Sequence, residues 1–319
     1  MLLGDQKIVN QAYTIMTKAN PPVSVIMPTV EWQSACREIL NQLREIDELL
    51  IVCDTADDPI ANQNIPSSAD LVMAGAPVGC SGKANAIAAG MEAASNDRIV
   101  WTDDDFVHPP RWLDELHADY NTHGPVSEVA FFVGQDALSI LLEPVYAAGG
   151  SLIPLLEGQS WAGALMFDRS DVDIEHFIEE LRQTVSDDGL LSEHVDFTVV
   201  RRVRQVEIGG TIRASLERHT RFTQLVWHHD RQNMLSLLVV STLVAVFCVA
   251  SPLLAAVCLT GIYAGIYAYL GVRRWTFLLA YPAALLQVPL FLYGLWRDTF
   301  VWGGRRYRWQ SKFNVSVES

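Results

Sequence analysis

Short apolar runs alternate with stretches of helical spacing through the first half of the chain, and several of the runs stop at a proline or an acid. Val23-Ser-Val-Ile-Met-Pro28, Leu49-Leu-Ile-Val-Cys53, Leu71-Val-Met-Ala74, Arg98-Ile-Val-Trp-Thr102 and Val129-Ala-Phe-Phe-Val133 read as buried strands. Between them Ala35, Ile39, Leu43 and Ile46 mark a helix over 32–45. A second helix is expected over 83–94, and a third over 110–120 with Pro110 suited to its first turn. Strands alternating with helices predict a parallel sheet flanked by helices, with ligands at the carboxyl ends of the strands. The loops after Met27, Cys53 and Thr102 are therefore expected to face one site. Farther on, 177–184 and 189–194 read as helices and Phe197-Thr-Val-Val200 as a strand. A last helix is expected from about Thr211 to His229.

The pattern then changes. Residues 232–272 contain no Asp, Glu, Lys or Arg, and three apolar stretches cover about 234–250, 253–270 and 276–296, with Ser251-Pro252 as a tight turn between the first two. A helix crossing a bilayer needs about 20 apolar residues, with a range that begins near 17. Two to three C-terminal membrane helices are thus predicted, and they divide the chain into a catalytic domain, 1–230, and a membrane domain with a basic tail, 231–319. Arg273 and Arg274 place their loop in the cytoplasm by the positive-inside rule, and the first domain with it, under a cell membrane crossed more than once. Three full crossings would export Arg305-Arg306-Tyr307-Arg308 against that rule. Pro282 and Pro289 leave a broken, re-entrant or interfacial third stretch open. Met1–Asn20 holds Asp5, Lys7 and Lys18 and no apolar core, so no signal peptide is expected.

Charge sharpens the division. The 319 residues carry a net charge of -14, yet after residue 230 the only acids are Asp298 and Glu318 against eight bases. So acidic a first domain argues against nucleic-acid partners. With nineteen Arg and only four Lys, it also suggests a salty cytoplasm, that of a halophile. The five cysteines form no CxxC pair and read as reduced thiols rather than a disulfide framework or zinc site. His108, His117, His219, His228 and His229 lack metal-ligand spacing and are expected at surfaces or interfaces.

The candidate chemistry centres on Thr102-Asp-Asp-Asp-Phe-Val-His108. Three adjacent carboxylates repel one another unless a cation or hydrogen bonds offset the cost, and their hard oxygens suit Mg²⁺ or Mn²⁺ bridging phosphates. Strand alternation turns Asp103 and Asp105 the same way and Asp104 elsewhere; a solvated acidic turn is the plain alternative. Asp54, at a strand end, suits a ribose or base. Lys83 stands at a helix start, where anions are favoured. Arg218 and Arg221, three apart on a helix, share a face and could clamp phosphate oxygens.

The order Val-Ile-Met-Pro28, strand-Asp54, Gly82-Lys-Ala-Asn-Ala, Asp103-Asp-Asp105 and Pro109-x-x-Trp112-Leu resembles family 2-type glycosyltransferases with the GT-A fold, closest to the ceramide glucosyltransferase-like branch. Ser160-Trp161-Ala162-Gly163-Ala-Leu-Met-Phe167 resembles the segment bordering the acceptor pocket. Ser186-Asp187-Asp188-Gly-Leu-Leu191 resembles the motif holding the catalytic base. Arg218-His-Thr-Arg221-Phe222 resembles the Gln/Arg-x-x-Arg-Trp motif, with Phe222 in place of the Trp and Trp227 five residues later. Trp302-Gly-Gly-Arg-Arg-Tyr307 resembles a basic-aromatic motif that ends many of these enzymes. The resemblance implies an α/β nucleotide-sugar-binding sheet followed by α-helical membrane segments.

It implies Asp188 as base with Asp187 as its rival, and Asp105 with Asp103 on Mn²⁺ or Mg²⁺. Donor contacts would come from Pro28, Thr29, Glu31, Asp54, Lys83, Asp103, Asp104, Arg218 and Arg221, and Trp161, Ala162 and Gly163 would lie on the acceptor side. The expected activity is inverting transfer of a hexose, with glucose suggested, from a UDP- or GDP-sugar to a membrane lipid or polyprenyl phosphate, giving a glycolipid. Alternatives are a processive polysaccharide synthase and an inactive, membrane-anchored nucleotide-binding module. A nucleotidyltransferase would need a Gly-rich first loop, and Pro28-Thr-Val-Glu31 stands there instead.

Overall fold

The computed structural model describes residues 20–318; all but Asn20 of the segment read above as lacking a signal peptide lies outside them. The chain runs β1 (Val23–Pro28), α1 (Ser34–Leu40), β2 (Glu48–Cys53), β3 (Asp70–Met73), α2 (Gly82–Ala93), β4 (Arg98–Thr102), α3 (Trp112–His123) and β5 (Val126–Gly134). There follow α4 (Ala137–Tyr146), a π turn (Ala147–Leu152), α5 (Ile153–Glu157), β6 (Ala164–Asp168), α6 (Ile174–Leu181), α7 (Asp187–His194), β7 (Thr198–Ile208) and α8 (Ile212–His229). The strands form one seven-stranded sheet in the order β3-β2-β1-β4-β6-β5-β7. β1, β2, β3 and β4 pair in parallel as the alternation predicted. The sheet is not parallel throughout, however: β6 runs antiparallel to both β4 and β5. Helices cover both faces, and β1, β2 and β4 are almost wholly buried, which is why they read as continuous apolar runs.

Beyond Asp230, which caps the next helix through Asn233 N–H, come α9 (Arg231–Ala250), α10 (Pro252–Leu270), a 3₁₀ turn (Trp275–Leu279) and α11 (Ala280–Trp296). The turn at Ser251-Pro252 falls where the sequence placed it. The basic tail is not an extended segment. It forms β8 (Thr299–Trp302), β9 (Arg305–Ser311) and β10 (Asn314–Glu318), a three-stranded antiparallel sheet. Phe300, Tyr307, Trp309 and Val315 bury one of its faces with Val185 of the catalytic half.

Among the described residues four helical segments are long and apolar enough to cross a membrane: Ala137–Glu157, Arg231–Ala250, Pro252–Leu270 and Trp275–Trp296. The first packs on β5, and its Glu143 is fully buried. That carboxylate accepts hydrogen bonds from Arg274 Nε at 2.6 Å and Nη2 at 2.9 Å, from Gly134 N–H at 3.2 Å, and from Thr276 Oγ1. Most of the five histidines were expected at surfaces or interfaces, yet three of them, His108, His117 and His219, are buried. Burial holds His108 down at about 3 and His117 and His219 at about 4, so each is neutral at physiological pH.

Removing one partner of a buried ion pair leaves an uncompensated charge, a loss of about 3 kcal/mol or more. Arg274→Ala should therefore lower unfolding stability in detergent by about 3 kcal/mol, with Arg274→Lys recovering part of the loss. An unchanged melting curve would show that Glu143 is not what fastens this loop.

Candidate active site

The ends of β1, β2 and β4 open into one cleft lined by Pro28, Thr29, Asp54 and Asp103–Asp105, as the loop ranking anticipated. The acid run is fixed from below. Thr102 Oγ1 donates to the Gly163 carbonyl at 3.0 Å and lies 2.7 Å from His108 Nε2, while Asp103 N–H donates to the same carbonyl at 3.2 Å. Asp104 turns aside to accept from Thr29 Oγ1 at 2.5 Å and Gln33 Nε2 at 2.9 Å. Burial raises its carboxyl, with the Thr29 bond opposing. Asp105 has no hydrogen bond or ion pair among the described residues. Desolvation within the cleft and the charge of Asp103 push it up to about 6.

Lys83 sits in the first turn of α2, whose cap, Ser81, accepts from Ala84 N–H at 3.0 Å and donates to the Val185 carbonyl at 2.8 Å. That cap ties the Lys83 loop to the loop carrying the second acid pair. The Lys83 ammonium then lies 2.5 Å from Asp103 Oδ1 and 3.6 Å from Asp187 Oδ2. Burial opposes its charge, but Asp103, Asp187 and Asp188 outweigh it and raise the pKa above the ordinary lysine value. Asp187 is buried, its Oδ2 has no hydrogen-bond partner among the described residues, and desolvation lifts it to about 6 against the pull of Lys83. Asp188 is half-buried; one oxygen accepts from Ser186 Oγ and Gly189 N–H, both at 2.8 Å.

The opposite wall belongs to α8. Arg218, Arg221, Phe222 and Leu225 recur at i, i+3, i+4 and i+7 and all line the cleft. Arg218 lies over Phe132 (4.9 Å) and Phe222 (5.1 Å), and Arg221 over Trp302 (3.9 Å). Burial first, and then Arg218, holds Arg221 down at about 9, still a cation at neutral pH. No carboxylate lies within ion-pair distance of either guanidinium among the described residues. Phe222 occupies the cleft wall itself, whereas Trp227 lies under Arg231 (4.3 Å) and away from it.

Of the acceptor-side residues, Trp161 lines the cleft, Ala162 is buried in the core, and Gly163 supplies the carbonyl under the acid run. A Cβ at Gly163 would come within 2.2 Å of the Trp161 ring, so only glycine fits there. Pro28 and Thr29 line the cleft, whereas Glu31 is exposed and is not part of its lining. The residues that sequence reasoning left out of the site are in the C-terminal sheet. Arg305 ion-pairs with Asp54, and Tyr307 Oη accepts from Gly82 N–H at 3.1 Å. Desolvation raises the Asp54 carboxyl, and Arg305 counters that. Trp302 and Gly303 complete the wall. The alternation in Arg305-Arg-Tyr-Arg-Trp309, which buries Tyr307 and Trp309, was the available signal for a strand.

Residues 24–139 match the family model described as Glycosyl transferase family 2. No curated protein matches the chain. Among solved structures it is similar to glucosyl-3-phosphoglycerate synthase from Mycobacterium tuberculosis in complex with phosphoglyceric acid, at 19% identity over 66% of this chain and 78% of that one, with a TM-score of 0.42. The same enzyme with Mn²⁺, UDP-glucose and phosphoglyceric acid gives 20% identity, 60% and 70% coverage and a TM-score of 0.36. A mycobacterial protein gives 16%, 67%, 78% and 0.40 in the same order. Residues 24–139, with the strand ends and acid run described above, are a family 2 glycosyltransferase domain of GT-A architecture, and the chain is a glycosyltransferase.

Proposed function

We propose that this glycosyltransferase moves a hexose, glucose by resemblance, from a UDP- or GDP-sugar to a membrane lipid or polyprenyl phosphate, with inversion at the anomeric carbon. One observation carries the reading. Two half-buried arginines, with no carboxylate in ion-pair distance among the described residues, line the same cleft as the acid run, an arrangement suited to a diphosphate and a cation bound together. Among the described residues no three His, Cys, Asp or Glu side chains converge to hold a metal by themselves. Mg²⁺ and Mn²⁺ sites, however, commonly take one or two carboxylates plus substrate phosphates. Asp105, which has no partner among the described residues and is raised first by desolvation and then by Asp103, fits that role with Asp103 beside it. Bound there, the ion would neutralise charge developing on the leaving diphosphate.

The chain's own groups supply the rest. Lys83, Arg218 and Arg221 stabilise the diphosphate as the sugar–phosphate bond breaks. Asp54 and the C-terminal sheet bound the nucleoside end of the cleft. Asp188, with one oxygen fixed by Ser186 and Gly189, takes the proton from the acceptor hydroxyl with the other, while Asp187 holds Lys83 from beneath. Trp161 borders the acceptor. A lipid acceptor follows from apolar helices fused to the domain, which hold the cleft near insoluble substrates.

Three outcomes test this. Asp105→Ala should cut sugar transfer to native membrane lipids about 10²-fold or more, and calorimetry should show metal-dependent UDP or GDP binding weakened. Asp188→Asn should lower kcat by about 10²-fold or more with nucleotide affinity kept; equal losses in both would remove Asp188 from the base role. Arg221→Ala should weaken nucleoside diphosphate binding about 10- to 100-fold, the worth of one charge-assisted bond, with the fold intact by circular dichroism.

A further inference from the structure

A second cavity, of about 390 Å³, lies against the first three turns of α8. Thr211, Arg213, Ala214 and Glu217 line it from the helix and its cap, and Val301 from β8; none of these lines the acid cleft. Arg218, Arg221, Trp302 and Gly303 line both. The helix explains the overlap. At about 100° per residue, Arg213, Glu217, Arg221 and Arg218 follow one another around α8 within about 140° of arc. One edge of that arc reaches the cleft, and the other stands outside it. Arg221 lies over the Trp302 ring at 3.9 Å, so this pair stands where the two spaces meet.

Charge in the side cavity is one-sided. Glu217, the one acid in its lining, is already engaged: Oε1 pairs with Arg297 Nη2 at 3.4 Å, and Oε2 accepts from Val301 N–H at 3.0 Å. Asp136, against Gly209 of the wall, is spent on Leu138 N–H and the hydroxyls of Ser139 and Ser215. Arg213, Arg218 and Arg221 have no carboxylate within ion-pair distance among the described residues, and Arg218 Nε is buried with no hydrogen-bond partner among them. In a chain of net charge -14, three such guanidiniums around one cavity leave an anion as the missing partner. A carboxylate is filled by one guanidinium fork, whereas a phosphate ester presents terminal oxygens to several. The donor diphosphate does not account for Arg213, which is outside the cleft.

We infer that the side cavity binds a phosphate ester on the acceptor, with Arg213 selecting for that charge while Arg218 and Arg221 stand between it and the donor diphosphate. This rests on the transferase reading above and narrows its acceptor. Asp188 takes its proton from a hydroxyl, so the reacting hydroxyl and the anchored phosphate are separate groups of one molecule. Arg221 is close enough to Asp188 to feel its charge, which sets the anchor within reach of the base. A phosphomonoester with no other hydroxyl does not meet that description.

The test saturates the full chain, in detergent, with UDP and Mn²⁺. It is then titrated by calorimetry with dihexanoyl phosphatidylglycerol, glycerol 3-phosphate and, as the uncharged control, dihexanoyl glycerol. At least one phosphate ester should bind beside UDP, and the control should not. Binding of the phospholipid alone assigns the phosphate to a lipid headgroup, glycerol 3-phosphate alone to a soluble acceptor, and both to recognition of the phosphate itself; each supports the inference. Arg213→Ala should weaken that binding about 10-fold, the worth of one charge-assisted hydrogen bond, with UDP affinity unchanged, and Arg213→Lys should recover part of it. Binding of neither ester, equal affinity for the control, or displacement of the ester by UDP overturns the inference. So does ester binding indifferent to Arg213→Ala, or a matching loss of UDP affinity in that variant. A chain that binds no UDP fails the donor reading instead, and the same titrations without nucleotide then judge the cavity by itself.

Discussion

Four carboxylates crowd one ammonium in this cleft, and much of the structure serves to hold that arrangement. Asp103 and Asp187 contact Lys83, and Asp105 and Asp188 lie beside them. Left to themselves such charges repel strongly in a low-dielectric site. Two of the four, and their neighbour Asp104, are held by different elements: Asp103 by the Gly163 carbonyl through its backbone, Asp188 by its own helix cap, and Asp104 by Thr29 and Gln33. Lys83 is fixed by an α2 cap that is itself bonded to the Asp187 loop, so acid and base move together. What remains uncompensated is Asp105 on one wall and two guanidiniums on the other, charges of a kind that a metal-bound diphosphate satisfies at once.

The second constraint is the return of the chain after the apolar α9–α10 hairpin. Asp54 and its counter-ion Arg305 are 251 residues apart, and Gly82 and Tyr307 are 225 apart. Those contacts exist only because β8–β10 come back to the cleft, and they come back because α11 runs along the catalytic body. Packing of the apolar tail and assembly of the cleft are in this way one problem.

The parts legible in the sequence were those with local signatures. Buried strands β1, β2 and β4 announced themselves as apolar runs, and each delivers its acid or proline to the cleft. β6 did not, because Ala164–Asp168 is a five-residue apolar run that periodicity alone cannot tell from a helical segment, and with it went the antiparallel pairing. β7 was legible only at its start. Arg202 and Arg204 interrupt its pattern because they reach the buried Glu128, which accepts from Arg202 Nε at 2.8 Å and Arg204 Nε at 2.5 Å. Residue types named most of the cleft; the Lys83–Asp187 contact and the C-terminal wall depend on pairings more than 100 residues apart, which no local pattern encodes.

Helix α8 joins the two constraints. Arg218, Arg221, Phe222 and Leu225 look into the cleft, while Glu217, Thr223 and Gln224 are buried on the side where α11 packs. These two faces are fixed at about 100° per residue along one rigid helix, so rotating one rotates the other. Close contact at Gly294 and Thr223 leaves little room for rotation, and the Arg297 bonds set the axial position. The guanidiniums are thus aimed from behind, by a helix whose far side is apolar and exposed. The alignment of the two guanidiniums therefore depends on how the apolar tail packs, a physical reason for the domain and that tail to be one chain.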